Sequence, residues 1–168
     1  GRYAKEKFSH QLFESFAQLP SQIIEEWELH AYGTGIEWEQ RSIHPAIIHH
    51  GFVQPNKLKE EMTKGHAFVL PSIFEPWGVV VHEFAAAGFP MLVSNSVGAA
   101  EAFLEENKNG FLFDSGDSEK LKEGLIKLLS CSNVQLQQMG VQSKRLAQKI
   151  TPETWSQTLL QIAQQSLH

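Results

Sequence analysis

Two glutamates, Glu75 and Glu83, stand eight positions apart on either side of Gly78. The apolar run 66–70 predicts a buried strand, and the segment that follows predicts a helix beginning near Trp77. Glu75 would then lie in the loop at the carboxyl end of a parallel sheet. Open α/β folds bind their ligands at this edge. The loop is therefore the first candidate for a functional site.

The expected start of the helix also predicts an anion site. The first-turn amides of Gly78, Val79 and Val80 would have no acceptor within the helix, and together with the helix dipole they form a site for phosphate. Glu83 falls about two turns into the helix, where its carboxylate can accept hydrogen bonds from a diol. Two carboxylates beside an anion suit hydroxyl groups on both sides of it. A nucleotide sugar has this order of groups: ribose, diphosphate, hexose.

Helical and strand periodicities alternate along the chain, with short glycine or proline breaks between them. This alternation predicts an α/β domain with a Rossmann-like, doubly wound parallel sheet flanked by helices. Val79–Val81 favours a strand, but the residues after it favour a helix that Gly88 would end, and we predict a helix. The predicted strands cover 27–32, 47–52, 66–70, 91–93 and 110–113. The predicted helices cover 7–19, 36–43, 57–64, 77–87, 98–104, 118–129, 134–149 and 151–168.

The composition is that of one ordinary globular domain. The chain has 168 residues, 42% of them hydrophobic, and a formal net charge of −5. A negative chain has no global field to attract nucleic acid, so we expect no nucleic-acid partner. No apolar stretch reaches the roughly 18 residues that span a bilayer. Cys131 is the only cysteine, which excludes an internal disulfide. We expect a cytoplasmic domain.

The residues from Glu75 to Glu83, followed by 87–90 (Ala-Gly-Phe-Pro), resemble the signature of retaining glycosyltransferases of the GT-B fold, especially family 4. Other segments resemble parts of that family in the same order. Residues 1–7 resemble its Gly-Arg loop, residues 94–101 resemble the segment after the next strand, and residues 109–113 resemble its Asn-Gly strand. The resemblance covers roughly residues 1–130, and the last helix resembles the family's C-terminal helix.

The resemblance implies a role for each matching position. Arg2 and Lys7 would neutralise the donor diphosphate, Glu75 would act as the catalytic-site carboxylate that binds sugar hydroxyls, and Glu83 would bind the ribose diol. The backbone of Gly78, Val79 and Val80 would touch phosphate or sugar. Val53 and Leu58 would lie near the base.

Three positions depart from the family pattern. Val97-Gly98 stands where the family usually has Gly-Gly, Trp77 where phenylalanine is commonest, and His82 beside Glu83 is atypical. No strand precedes Gly1, although the fold needs one there, so we expect the first strand to be missing upstream.

The resemblance further implies the donor-binding half of a two-domain enzyme that transfers a hexosyl group to a saccharide or lipid-linked acceptor. The acceptor would be held by an N-terminal domain, and the full enzyme could associate peripherally with the inner membrane face. No metal cofactor is expected, since two cations and a helix N-terminus can neutralise the leaving group and the chain lacks an Asp-x-Asp motif. Two alternatives stay open: a GT-B epimerase or glycosyl phosphorylase domain, and a non-catalytic nucleotide-binding regulatory domain.

Two other patterns favour ordinary structural interpretations. Gly33-Thr34-Gly35 follows a predicted strand, but Trp38 stands where the third glycine of a dinucleotide fingerprint would be. The eight histidines, among them His44, His49 and His50, include neither a His-x-His pair nor a His-Glu-x-x-His run. We interpret them as packed or surface residues.

Overall fold

The computed structural model describes residues 1–165, and the last three residues of the helix predicted over 151–168 lie outside them. The strands are β1 Leu29–Tyr32, β2 Ile47–Gly51, β3 Phe68–Leu70, β4 Met91–Ser94 and β5 Gly110–Phe113. The helices are α1 Ser9–Ala17, α2 Ser21–Ile24, α3 Pro55–Met62, α4 Val79–Ala87, α5 Ala100–Phe103, α6 Ser118–Leu129, α7 Asn133–Ala147 and α8 Pro152–Gln165. Two short 3₁₀ helices cover Lys5–Lys7 and Trp38–Gln40.

All strand pairs of the described chain are parallel, which confirms the predicted α/β class. β1 pairs with β2, and β4 lies between β3 and β5. The strands thus form two groups instead of one continuous sheet, since no ladder joins β1 to β3 within residues 1–165. Leu29 and Ala31 of β1 nevertheless pack on the same apolar cluster as Val69 of β3. The two groups therefore share one supporting helix layer.

Two apolar clusters support the strands. The larger one joins aromatic residues of α1 to leucines of α6 and the adjacent faces of β4 and β5, including Phe13, Phe16, Leu121, Leu125 and Leu128. The smaller one lies on the other side of β4 and includes Val81, Ala85, Met91, Val93 and Phe103. Burial of such side chains stabilises the fold by about 1.5–3 kcal/mol each. β4, buried along its whole length, is the rigid centre of the larger sheet.

Glycines set both ends of α4. Gly78, at φ 88°, precedes the helix, and Gly88, at φ 89°, ends it. A residue in this left-handed conformation cannot continue a right-handed helix, so α4 begins at Val79 and the predicted start near Trp77 is two residues early. The strand propensity of Val79–Val81 is overridden because Val81 packs fully buried among the strands and helices of the smaller cluster.

Other helix boundaries follow local capping. Asp117 accepts a hydrogen bond from the amide of Lys120 and starts α6, as predicted. Ser132 and Gln135 form a capping box that starts α7. The helix predicted over 36–43 is wrong in length, since only Trp38–Gln40 forms a 3₁₀ turn.

The apolar residues of α8 are exposed. Trp155 is 63% exposed and Leu159 is 46% exposed. The helix itself forms as predicted within the described residues.

Candidate functional site

The loop between β3 and α4 carries Glu75 and is fixed by two neighbouring segments, the N-terminal segment and the loop after β4. The amide of Ile73 donates to the carbonyl of Glu6 over 2.9 Å, and the amide of Gly98 donates to the carbonyl of Glu75 over 3.1 Å. The hydroxyl of Ser96 donates to the carbonyl of Ile73 over 2.7 Å. Glu75 is therefore held at the carboxyl end of β3, where the sequence placed it.

Lys7 and Glu75 form an ion pair in this loop. Lys7 Nζ lies 2.5 Å from Glu75 Oε2, and the two side chains are 20% and 23% exposed. Each of the other ion pairs between described residues joins positions no more than four apart. The Lys7–Glu75 pair is different because it ties the N-terminal segment to the loop after β3.

The first amides of α4 are available to a ligand. The amide of Val81 donates to the carbonyl of Gly78 over 2.9 Å, but no described backbone carbonyl accepts from the amides of Gly78, Val79 or Val80. A Cβ on Gly78 would lie 3.1 Å from Glu75 Cγ, so the Glu75 side chain lies beside the helix start, in the space that a side chain at position 78 would need. This geometry supplies N–H donors and the positive end of the helix dipole beside the Lys7 ammonium.

Gly98 belongs to the site, although the sequence analysis gave it no role. A Cβ at this position would lie 2.3 Å from the carbonyl oxygen of Pro76, so only glycine permits the observed approach of the two loops. The amide of Ala99 also donates to the carbonyl of Trp77 over 2.7 Å. The sequence feature that could have indicated this role is the Gly-Gly pair that the family usually has here. Gly98 corresponds to the second glycine of that pair.

Arg2 does not join the Lys7–Glu75 pair. Its guanidinium lies 3.6 Å from the Glu6 carboxylate, and its side chain is 75% exposed. Arg2, Glu6 and Lys7 belong to the same short N-terminal segment. The carbonyl of Glu6 in this segment accepts the hydrogen bond from the amide of Ile73. An exposed arginine on this segment is free to change its rotamer when an anion binds.

Glu83 is exposed on α4, one turn beyond the free amides. No hydrogen bond or ion pair joins its carboxylate to another residue in the described part of the chain. The carboxylate is thus exposed and unpaired, and its role in binding a diol stays a prediction.

Val53 and Leu58 lie on the β1–β2 side of the molecule. Val53 follows β2, Leu58 is in the first turn of α3, and both are half-buried. No hydrogen bond in the described chain joins either residue to Lys7, Glu75 or Gly78. Their predicted contact with the base stays a prediction.

The N-terminal segment connects the two sides at the carboxyl edge of the strands. The amide of Tyr3 donates to the carbonyl of Thr34 beyond β1, and the carbonyl of Glu6 accepts from Ile73 beyond β3. The Tyr3 hydroxyl lies 2.8 Å from His49 Nδ1, and burial raises the pKa of Tyr3 to about 12. Tyr3 and His49 thus anchor the segment that presents Lys7.

The histidines do not form a metal centre. Among residues 1–165 there is no group of three histidine, cysteine or carboxylate side chains that could hold an ion. His49 packs edge-on against Phe13, and His50 stacks on Tyr32.

The family model for glycosyl transferases group 1 matches residues 1–145. The chain belongs to this family. The matched range includes every predicted site residue of this chain and both groups of strands.

Curated relatives support the family assignment. An uncharacterized glycosyltransferase of Methanocaldococcus jannaschii is 31% identical over 91 residues, which are 54% of this chain and 23% of that protein. A sulfoquinovosyl transferase of Arabidopsis thaliana is 36% identical over 87 residues, which are 51% of this chain and 17% of that protein. The matched region is thus less than a quarter of the length of either relative.

Solved structures share the fold. Anabaena HepE, determined in complex with UDP, matches 98% of this chain and 47% of its own with a TM-score of 0.81 and 20% identity. The pneumococcal O-GlcNAc transferase GtfA, determined with UDP and GlcNAc, matches 99% of this chain and 35% of its own, with a TM-score of 0.79 and 19% identity. These likenesses confirm the predicted Rossmann-like half of a GT-B fold.

Proposed function

We propose that this chain is the nucleotide-sugar donor-binding domain of a retaining glycosyltransferase that transfers a hexosyl group. The observation that carries the proposal is the position of Lys7. Its ammonium contacts Glu75, and Glu75 in turn packs against Gly78 at the start of α4. A cation, unpaired helix amides and a carboxylate within one loop suit a diphosphate joined to a sugar.

Each site residue has a distinct role in this proposal. Lys7 and Arg2 bind the diphosphate, and the amides of 78–80 donate hydrogen bonds to phosphate or sugar oxygens. Glu75 is the catalytic-site carboxylate and accepts hydrogen bonds from sugar hydroxyls, while Glu83 accepts them from the ribose diol. Val53 and Leu58, on the β1–β2 side, contact the base.

The reaction would use these groups to stabilise the leaving nucleotide. Breaking the bond between the sugar and the diphosphate increases negative charge on the phosphate oxygens and positive charge on the sugar ring. Lys7 and the helix start would stabilise the negative charge on the phosphate oxygens, and the Glu75 carboxylate would stabilise the positive charge on the sugar ring. We propose that no metal is required, because these fixed groups already supply the positive potential.

The rest of the enzyme would supply the acceptor. We propose that a second, N-terminal domain binds a saccharide or lipid-linked acceptor, and that the full enzyme works in the cytoplasm, with possible attachment to the membrane surface. None of the helices within residues 1–165 has the length and apolarity needed to cross a bilayer. On this proposal the present chain binds donor nucleotides but does not transfer sugar by itself.

Isothermal titration of the chain with UDP, GDP and ADP tests the proposal. We expect at least one nucleotide to bind, with unchanged affinity in EDTA, and Lys7→Met to weaken binding about tenfold or more, since it removes a charge-assisted contact. Lys127→Met, on α6, is the matched control and should leave the affinity unchanged. Absence of binding by all three nucleotides would contradict the proposal.

A further inference from the structure

The ion pair between Lys7 and Glu75 has a consequence for ligand binding that rests on the proposed donor site. We propose that Glu75 competes with the donor diphosphate for Lys7, so that a bare diphosphate must break this pair before it binds. Glu75 would thereby weaken the binding of the diphosphate product as well as contact the sugar.

The pair is a built feature of the site and not a chance surface contact. Both side chains are about four-fifths shielded from solvent, and their partner atoms are 2.5 Å apart. The hydrogen bond from Ile73 to Glu6 fixes the two backbone segments relative to each other. Shielding from solvent strengthens such a pair relative to an exposed one.

The pair also occupies the place where an anion would bind. Glu75 Cγ lies 3.1 Å from the position of a Cβ on Gly78, directly before the unpaired amides of α4. A phosphate that reaches these amides meets the Glu75 carboxylate as a like charge and finds the Lys7 ammonium already paired. Both effects oppose binding of an anion that cannot donate a hydrogen bond to the Glu75 carboxylate.

A nucleotide sugar differs from a bare diphosphate in this respect. Its hydroxyl groups can donate hydrogen bonds to Glu75 and replace the bond that the carboxylate loses when Lys7 turns to the phosphate. The exchange therefore favours the sugar-bearing donor over the free diphosphate. Glu75 acts as a specificity-determining residue through Lys7, in addition to any direct contact.

The experiment measures the affinity of the chain for inorganic pyrophosphate and for the tightest-binding of UDP, GDP and ADP by isothermal titration. We expect Glu75→Gln to tighten both affinities about two- to tenfold, the range for release of a partly shielded ion pair. Glu101→Gln removes the same charge from an exposed position on α5 and should leave both unchanged. In a Lys7→Met background, Glu75→Gln should lose most of its effect, and thermal melting checks that every variant is folded.

The possible outcomes separate the two proposals. Measurable binding that Glu75→Gln leaves unchanged or weakens would overturn the competition and keep the proposed nucleotide site. The competition would likewise be overturned if Glu75→Gln tightened binding equally with and without Lys7, since the effect would then be general charge. If neither pyrophosphate nor any of UDP, GDP and ADP binds the wild-type chain or any variant, the competition and the proposed donor site are both wrong.

Discussion

Gly98 determines how closely its loop approaches the loop that carries Glu75. A methyl group at this position would lie 2.3 Å from the carbonyl oxygen of Pro76. The atoms that it would meet, in Pro76 and Trp77, belong to the backbone, which cannot shift as easily as a flexible side chain. We expect Gly98→Ala to lower the free energy of unfolding by about 1–3 kcal/mol, the usual cost of overpacking. Urea denaturation measures this effect.

Gly1→Ala is the control for that substitution, since a Cβ there has open space around it. It should leave the free energy of unfolding nearly unchanged. If Gly98→Ala is equally harmless, the two loops are not held by close backbone contact. Gly98→Ala should also weaken nucleotide binding, because it displaces the segment that fixes Glu75.

At the level of residues, the sequence indicates candidate members of the site, whose roles stay predictions, but it does not indicate their contacts. Glu75, Gly78 and Glu83 follow from the spacing of charges around a predicted helix start. The Lys7–Glu75 bond joins positions 68 residues apart, and nothing in local sequence specifies such a contact. The role of Gly98 was not predicted for the same reason, since it depends on the close approach of the loop that contains Pro76.

At the level of elements, β1 and β2 are joined by histidines as well as by backbone pairing. His30 Nδ1 lies 2.9 Å from His50 Nε2, and His30 Nε2 lies 3.1 Å from the Glu28 carboxylate. Burial is the main cause that lowers the pKa of His50 below its usual 6.5, and the neighbouring His30 is the second. Lys64 and His49 lower the pKa further, whereas Glu61 raises it. The folded chain therefore favours neutral His50.

A lowered histidine pKa gives stability a definite pH dependence. Below pH 6.5 the unfolded chain binds more protons at His50 than the folded chain, so stability is full above 6.5 and falls as pH drops towards the lowered pKa. Thermal melting across this range should show the decrease. His50→Gln should reduce it, whereas His66→Gln, at an exposed position outside the cluster, should not. An identical pH profile for wild type and His50→Gln would contradict this account.

The elements themselves were largely predictable because their signals are local. The Asp117 side chain caps α6 by accepting from the amide of Lys120, three residues on, and Gly88 ends α4 through its own left-handed backbone. The start of α4 was placed two residues early because Gly78 is left-handed, and the neighbours that a side chain there would meet, Val97 at 2.9 Å and Glu75 at 3.1 Å, are not evident from local sequence. The helix predicted over 36–43 failed for a related reason, since its apolar ends Ile36 and Ile43 are exposed and have no core to bury.

On the scale of the whole molecule, the two strand groups pack on one shared apolar cluster and are linked by the N-terminal segment. Gly1–Lys7 crosses between the ends of β1 and β3 and brings Lys7 to the Glu75 loop. Within residues 1–165, no ladder pairs with the second edge of β1 or of β3.

We propose that a nucleoside diphosphate binds at the start of α4 beside Lys7. The most direct test is a titration with the tightest-binding of UDP, GDP and ADP, followed residue by residue through backbone amide chemical shifts. We predict the largest changes at the amides of Gly78, Val79 and Val80 and in the segment 2–7. Changes confined to another surface, such as the open depression of about 400 Å³ beside Cys131, would contradict the account.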